Sequence, residues 1–118
     1  MLSFLRVSLL VVVLSGVLQP RLLDAQDFQR CDCNADGAHN IADAVRMLNY
    51  LFNNSAVPDC LDSCDCNDDG SIDISDPVFQ LSFLKPVGPP VTPPWGFGNC
   101  DPDGTLDALD CALYAPCP

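Results

Sequence analysis

Two stretches of the chain repeat one alternation of apolar and polar positions. Asp43-Ala44-Val45-Arg46-Met47-Leu48-Asn49-Tyr50-Leu51-Phe52 sets Ala44, Val45, Leu48, Leu51 and Phe52 at spacings of three and four, which predicts an amphipathic helix started by Asp43. Asn53-Asn54-Ser55 ends it as a turn, and its sequon would matter only in a glycosylating host. Asp76-Pro77-Val78-Phe79-Gln80-Leu81-Ser82-Phe83-Leu84-Lys85 repeats the pattern, with Val78, Leu81 and Leu84 matching Val45, Leu48 and Leu51 and with Pro77 tolerated near the start. Two such helices, each with one apolar stripe, are expected to bury them against each other. The stretch Val57 to Cys64 is too short and broken for an entering helix, so each unit is a loop followed by one helix.

Outside the units the pattern changes. Arg6 precedes the apolar run Val7 to Leu18, which stops before Pro20-Arg21 and falls short of the ~20 apolar residues that span a bilayer. It reads as a secretory signal cleaved after Ala25. Pro86 to Pro94 is an extended proline-rich spacer, and Trp95 and Phe97 cap a small core. The expected organisation is a signal at 1–25, a duplicated domain at 26–85, a spacer at 86–98 and a shorter third unit at 99–118.

Composition narrows the chemistry. Every acid is Asp, with no Glu in the chain, and 15 of the 16 acids follow Ala25 against Arg30, Arg46 and Lys85, a formal charge of about −12. Such a domain is a poor fit to nucleic acid or an anionic membrane. All 8 cysteines follow the signal, which implies a disulfide framework in an oxidising compartment, with 105 connectivities open. The cysteine spacings are not those of zinc sites, and no haem-attachment motif occurs.

The helices are each preceded by an oxygen-rich loop. In Asp65-Cys66-Asn67-Asp68-Asp69-Gly70-Ser71-Ile72-Asp73-Ile74-Ser75-Asp76, oxygen-bearing side chains stand at the first, third, fifth, ninth and twelfth places and Gly at the sixth. That is the layout of an EF-hand calcium loop: alternate residues face one centre, glycine makes the sharp turn, and the twelfth acid closes the sphere. Asp32-Cys33-Asn34-Ala35-Asp36-Gly37-Ala38-His39-Asn40-Ile41-Ala42-Asp43 repeats it at fixed register. Each loop would hold calcium through three carboxylates, one Asn and a backbone carbonyl: Asp32, Asn34, Asp36, Ala38 and Asp43 in one, Asp65, Asn67, Asp69, Ser71 and Asp76 in the other. Asn40 and Asp73 would assist a bound water. His39, at the eighth place, reads as a structural histidine rather than a ligand for a hard cation. A third loop from Asn99 to Asp110 would use Asn99, Asp101, Asp103, Thr105 and Asp110, weakened by the neutral Asn99 and by Pro102 at the fourth place. No catalytic constellation is present, and the chain reads as a non-enzyme.

The two units resemble the duplicated segments of a type I dockerin domain, through Asp32, Asn34, Asp36, Gly37, Asn40, Asp43 and Leu48 and, in the second, Asp65, Asn67, Asp69, Gly70, Asp73, Asp76 and Leu81. The resemblance implies a small all-α, disulfide-rich, calcium-stabilised fold of two antiparallel loop-helix repeats plus the degenerate third loop. It also implies a cohesin-like partner and an association with polysaccharide degradation outside the cell. Where many cellulosomal dockerins carry a Ser/Thr pair at the tenth and eleventh places, this chain has Ile41-Ala42 and Ile74-Ser75. The expected partner face is Ile41, Ala42 and Arg46 with Ile74, Ser75 and Phe79. Two other readings stay open: a purely structural protein stabilised by calcium and disulfides, and an enzyme fragment.

Overall fold

The computed structural model describes residues 26–88, Pro90 and 99–117. The signal at 1–25 with its cleavage point, most of the spacer and the Trp95 to Phe97 cap lie outside the described residues. Among the described residues there are two helices, α1 at Ile41–Phe52 and α2 at Ser75–Phe83, in direct contact, and neither is long and apolar enough to cross a membrane.

Each helix starts one or two residues past an Asx side chain that accepts from an amide of its first turn. Asn40 is extended and its Oδ1 accepts from Ala42 N at 2.8 Å, while Asp43 Oδ2 accepts from Asn40 N at 2.9 Å, a capping box. In the second unit Asp73 Oδ1 accepts from Ser75 N at 2.7 Å and Asp76 Oδ2 accepts from Asp73 N at 2.8 Å. Asp43 and Asp76 therefore sit inside the first turn and do not begin the helices, as the sequence had suggested. Pro77 falls where an amide has no intrahelical acceptor, so its missing N–H removes nothing. α1 ends at Phe52, followed by Asn54 in the left-handed region at φ 49°.

The helix faces are turned relative to the sequence expectation. Val45, Val78, Leu81 and Leu84 are exposed, Leu48 and Leu51 are half-buried, and the buried positions are Asp43, Ala44 and Met47 in α1 and Asp76, Pro77 and Gln80 in α2. The closing acids set this phase. Asp43 and Asp76 must point back into their loops, and the residues four further on, Met47 and Gln80, are drawn in with them.

What fills the interior is cystine. Cys31, Cys33, Cys64 and Cys66 surround Met47, with Ile72, Phe79 and Phe83 packed against them. Disulfides join Cys31 to Cys66 and Cys33 to Cys64, so the residue before the first place of each loop is bonded to the residue after the first place of the other. His39 is buried, its Nε2 2.8 Å from Arg30 O and its ring edge-on to Phe83, in keeping with a structural role.

The 99–117 segment packs back onto the first 40 residues after Ala25. It pairs through the isolated bridges Phe28 to Asp101 and Cys60 to Cys111, with Leu61 N donating to Asp110 O and Ala112 N to Asp59 O. Disulfides Cys60–Cys111 and Cys100–Cys117 fix it, and a second core of Phe28, Cys60, Tyr114 and Cys117 forms beneath.

Candidate metal centres and docking face

The two loops share one hydrogen-bond scaffold. In the first, Asp32 accepts from Asp36 N and from Gly37 N, Asp36 Oδ1 from Ala38 N, and Asp43 Oδ1 from Asn34 N. In the second, Asp65 accepts from Asp69 N and Gly70 N, Asp69 Oδ1 from Ser71 N, and Asp76 Oδ1 from Cys66 N and Asn67 N. Gly37 and Gly70 take φ near +80°, and the fourth-place residues Ala35 and Asp68 are also left-handed, at φ 55° and 59°. The backbone amides thus orient the carboxylates toward each loop's interior.

In the first loop the carboxylates of Asp32, Asp36 and Asp43 lie within 4.8 Å of one another. Asp65, Asp69 and Asp76 do not meet as a set at that distance; Asp65 instead groups with Asp68 and with Asp107 from the C-terminal segment. Burial pushes the carboxyls of Asp43 and Asp76 up to about 7, against the hydrogen bonds they accept, with the neighbouring Asp32 and Asp65 respectively adding to the rise. Burial also raises Asp65, while the Ser75 hydroxyl and amide hold Asp73 below the usual carboxylate range. The donor set is all oxygen, and Asn67 Oδ1 is buried with no hydrogen-bond partner. Crowded buried carboxylates and an unmatched amide oxygen fit a hard, oxygen-seeking cation such as calcium.

The third loop departs from the backbone scaffold of the other two. Asp101 and Asp110 fall in no group of three acids among the described residues, and Thr105 Oγ1 donates to Asp68 Oδ2. The reason is conformational. The fourth place needs positive φ, as at Ala35 and Asp68, and proline at Pro102 is locked near −65°. Gly104, at the sixth place, is not in the left-handed region either. Asp103 joins Asp62 and Asp107 as a separate group. Burial, with Asp103 and Asp107 nearby, pushes the Asp62 carboxyl up to about 6.

Three residues that the sequence reading did not single out tie these parts together. The buried Arg30 donates to Asp65 O at 2.9 Å and to Asp103 Oδ1 at 2.8 Å, pairs with Asp68 at 3.2 Å, and stacks over Phe28. Tyr114 donates its hydroxyl to Asp32 Oδ2, and burial together with that carboxylate raises the phenol. Asp107 lies against Gly70, where an added Cβ would meet its own at 3.2 Å. The signal for Arg30 was its rarity, as one of three basic residues in an acidic domain.

Of the expected partner face, Ile41 and Ile74 are 64% and 54% exposed and Ala42 is exposed. Arg46 is engaged, donating to Ser55 Oγ at 2.9 Å and Ala56 O at 2.7 Å. Ser75 Oγ donates to Asp73 and accepts from Asn67 Nδ2, and Phe79 is half-buried against the cystine core. The residues displaced outward take their place. Ile41, Val45 and Phe52 run down α1, and Ile74, Val78 and Leu81 line the matching face at α2.

Two loops closed by Asp at the twelfth place, each feeding a single helix, define a duplicated calcium-type docking module rather than a catalytic domain. The family model of the type I dockerin domain matches residues 21–79, half of the chain, and the chain belongs to that family. Dockerin domains bind calcium and dock cohesin domains. No curated protein and no solved structure matches the chain. The four disulfides point to a non-cytoplasmic, oxidising setting.

Proposed function

We propose that this is an exported adaptor that docks a cohesin-type domain through the exposed apolar stripes of its two repeats. The observation that carries the reading is the repetition itself. Ile41 and Val45 in one unit have counterparts of the same kind, Ile74 and Val78, in the other, and both pairs stand in solvent. Scattered exposed apolar residues are ordinary, whereas matched rows on adjoining helices suit a partner surface. Aliphatic residues in place of hydroxyls at the tenth loop places favour an apolar cohesin face. Calcium would be held by Asp32, Asn34, Asp36, the Ala38 carbonyl and Asp43, and by Asp65, Asn67, Asp69, the Ser71 carbonyl and Asp76. A bound cation supplies charge neutralisation, which lets the loops and the first helical turns fold together. In this reading residues 26–85 carry docking, 86–98 are a spacer and 99–117 return as a brace. Export follows cleavage near Ala25, and the partner belongs to a polysaccharide-degrading assembly.

The test is calorimetry against a panel of type I cohesin domains, with calcium and with chelator. Calcium-dependent binding that is lost in Ile41→Asp with Ile74→Asp, in a protein that still binds calcium, is the expected result. Unchanged binding would remove this face, and no binding to any cohesin would leave the purely structural reading.

A further inference from the structure

We propose a third divalent-cation site, built from Asp62, Asp103 and Asp107 and suited to calcium, outside both EF-hand-type loops. The carboxylates of these three residues lie within 4.8 Å of one another, although they come from segments about 40 residues apart. They line a cleft of about 490 Å³, together with Asp110, Thr105 and Gln26. An exposed acidic cluster alone would mean little in so acidic a chain. The distinguishing feature is Asp62, which is only 5% exposed and whose Oδ1 has no hydrogen-bond partner. A buried carboxylate oxygen left unmatched is costly, and the side chain that carries it lines the cleft where the other two carboxylates converge.

The neighbouring cation does not complete it. Arg30 reaches the backbone oxygen of Asp62 at 3.4 Å and binds Oδ1 of Asp103, which also accepts from Thr105 N. With one positive charge shared between Asp103 and Asp68, the three carboxylates and the adjacent Asp110 keep a local excess of about two negative charges or more, matched to one divalent ion. All donors are oxygen and none is nitrogen or sulfur, which selects a hard cation over zinc or copper. The cleft has room for the waters that calcium needs to reach six or more ligands. The site is assembled by the fold-back of the 99–117 segment, since Asp62 lies two residues beyond the Cys60–Cys111 disulfide. Its ligand Asp107 also groups with Asp65 and Asp68, so the site adjoins the second loop and is not the degenerate third loop read in register.

The experiment counts calcium ions per oxidised chain by native mass spectrometry, with calcium alone as the added metal. Asp62→Asn is expected to hold one ion fewer than the parent, with unchanged circular dichroism; equal counts overturn the site. Because Asp62 is buried, Asp107→Asn provides a second comparison at an exposed position, made in an Asp69→Ala chain whose second loop is already impaired. Loss of one further ion supports the site, and no further loss overturns it.

Discussion

Arg30 is the residue on which the most charge depends. It is fully buried, and its removal would strand the carboxylates of Asp68 and Asp103 with their counter-ion gone. Arg30→Met is expected to lower stability by about 3 kcal/mol or more in calcium, measured by denaturant unfolding with the disulfides intact. The buried acids give a sign that calcium reverses. The carboxyls of Asp43 and Asp76 stand at about 7 and that of Asp62 at about 6, all raised from 3.8. In calcium-free protein the folded chain keeps protons that the unfolded chain has already released between about pH 4 and 7. Stability of the metal-free protein should therefore fall as pH rises through that window, with a higher thermal midpoint at pH 5 than at pH 8. Calcium affinity should run the other way, weakening as pH drops below 7, because protons and metal compete for the same oxygens.

At the level of loops and helices, one backbone angle separates the first two loops from the third. Ala35→Pro places in the first loop the residue that stands at Pro102, and proline cannot adopt φ 55°. The expected outcome in calorimetry is the loss of one bound ion from the first loop. Gly37→Ala should cost about 1 kcal/mol for its positive φ, and Gly70→Ala more, since its new Cβ also meets Asp107 at 3.2 Å. Both helices and both loops were legible in the sequence, because the loop register and the three-four spacing are local. The buried face was not. Period alone marks an apolar stripe without saying which way it points, and here Asp43 and Asp76 fix the rotation while half-cystines occupy the space that Val45 and Val78 were expected to fill. The group of Asp62 with Asp103 and Asp107 was equally hidden, since its members are about 40 residues apart and meet through the fold-back of the 99–117 segment.

Across the whole molecule, the candidate metal ligands and the disulfides share the same short stretches. Asp32 lies between Cys31 and Cys33 and Asp65 between Cys64 and Cys66, so an ion that stiffens either loop also shields the adjoining sulfurs. Reduction of Cys31–Cys66 and Cys33–Cys64 by a thiol should be slowed at least several-fold by saturating calcium, followed by mass spectrometry of alkylated intermediates. Cys100–Cys117, at the far end of the fold-back, should show a smaller effect. The cross-pairing of these four cysteines has a further consequence, concerning descent. Exchanging the two units turns the bond Cys31–Cys66 into the bond Cys33–Cys64, so the connectivity is unchanged when the units are swapped. Such self-complementary contacts are those of a C2 homodimer, in which each copy offers the other the same patch. A single ancestral unit bearing Cys-Asp-Cys would close on a twin through the same pair of bonds, and gene duplication would then only have had to link what was already joined.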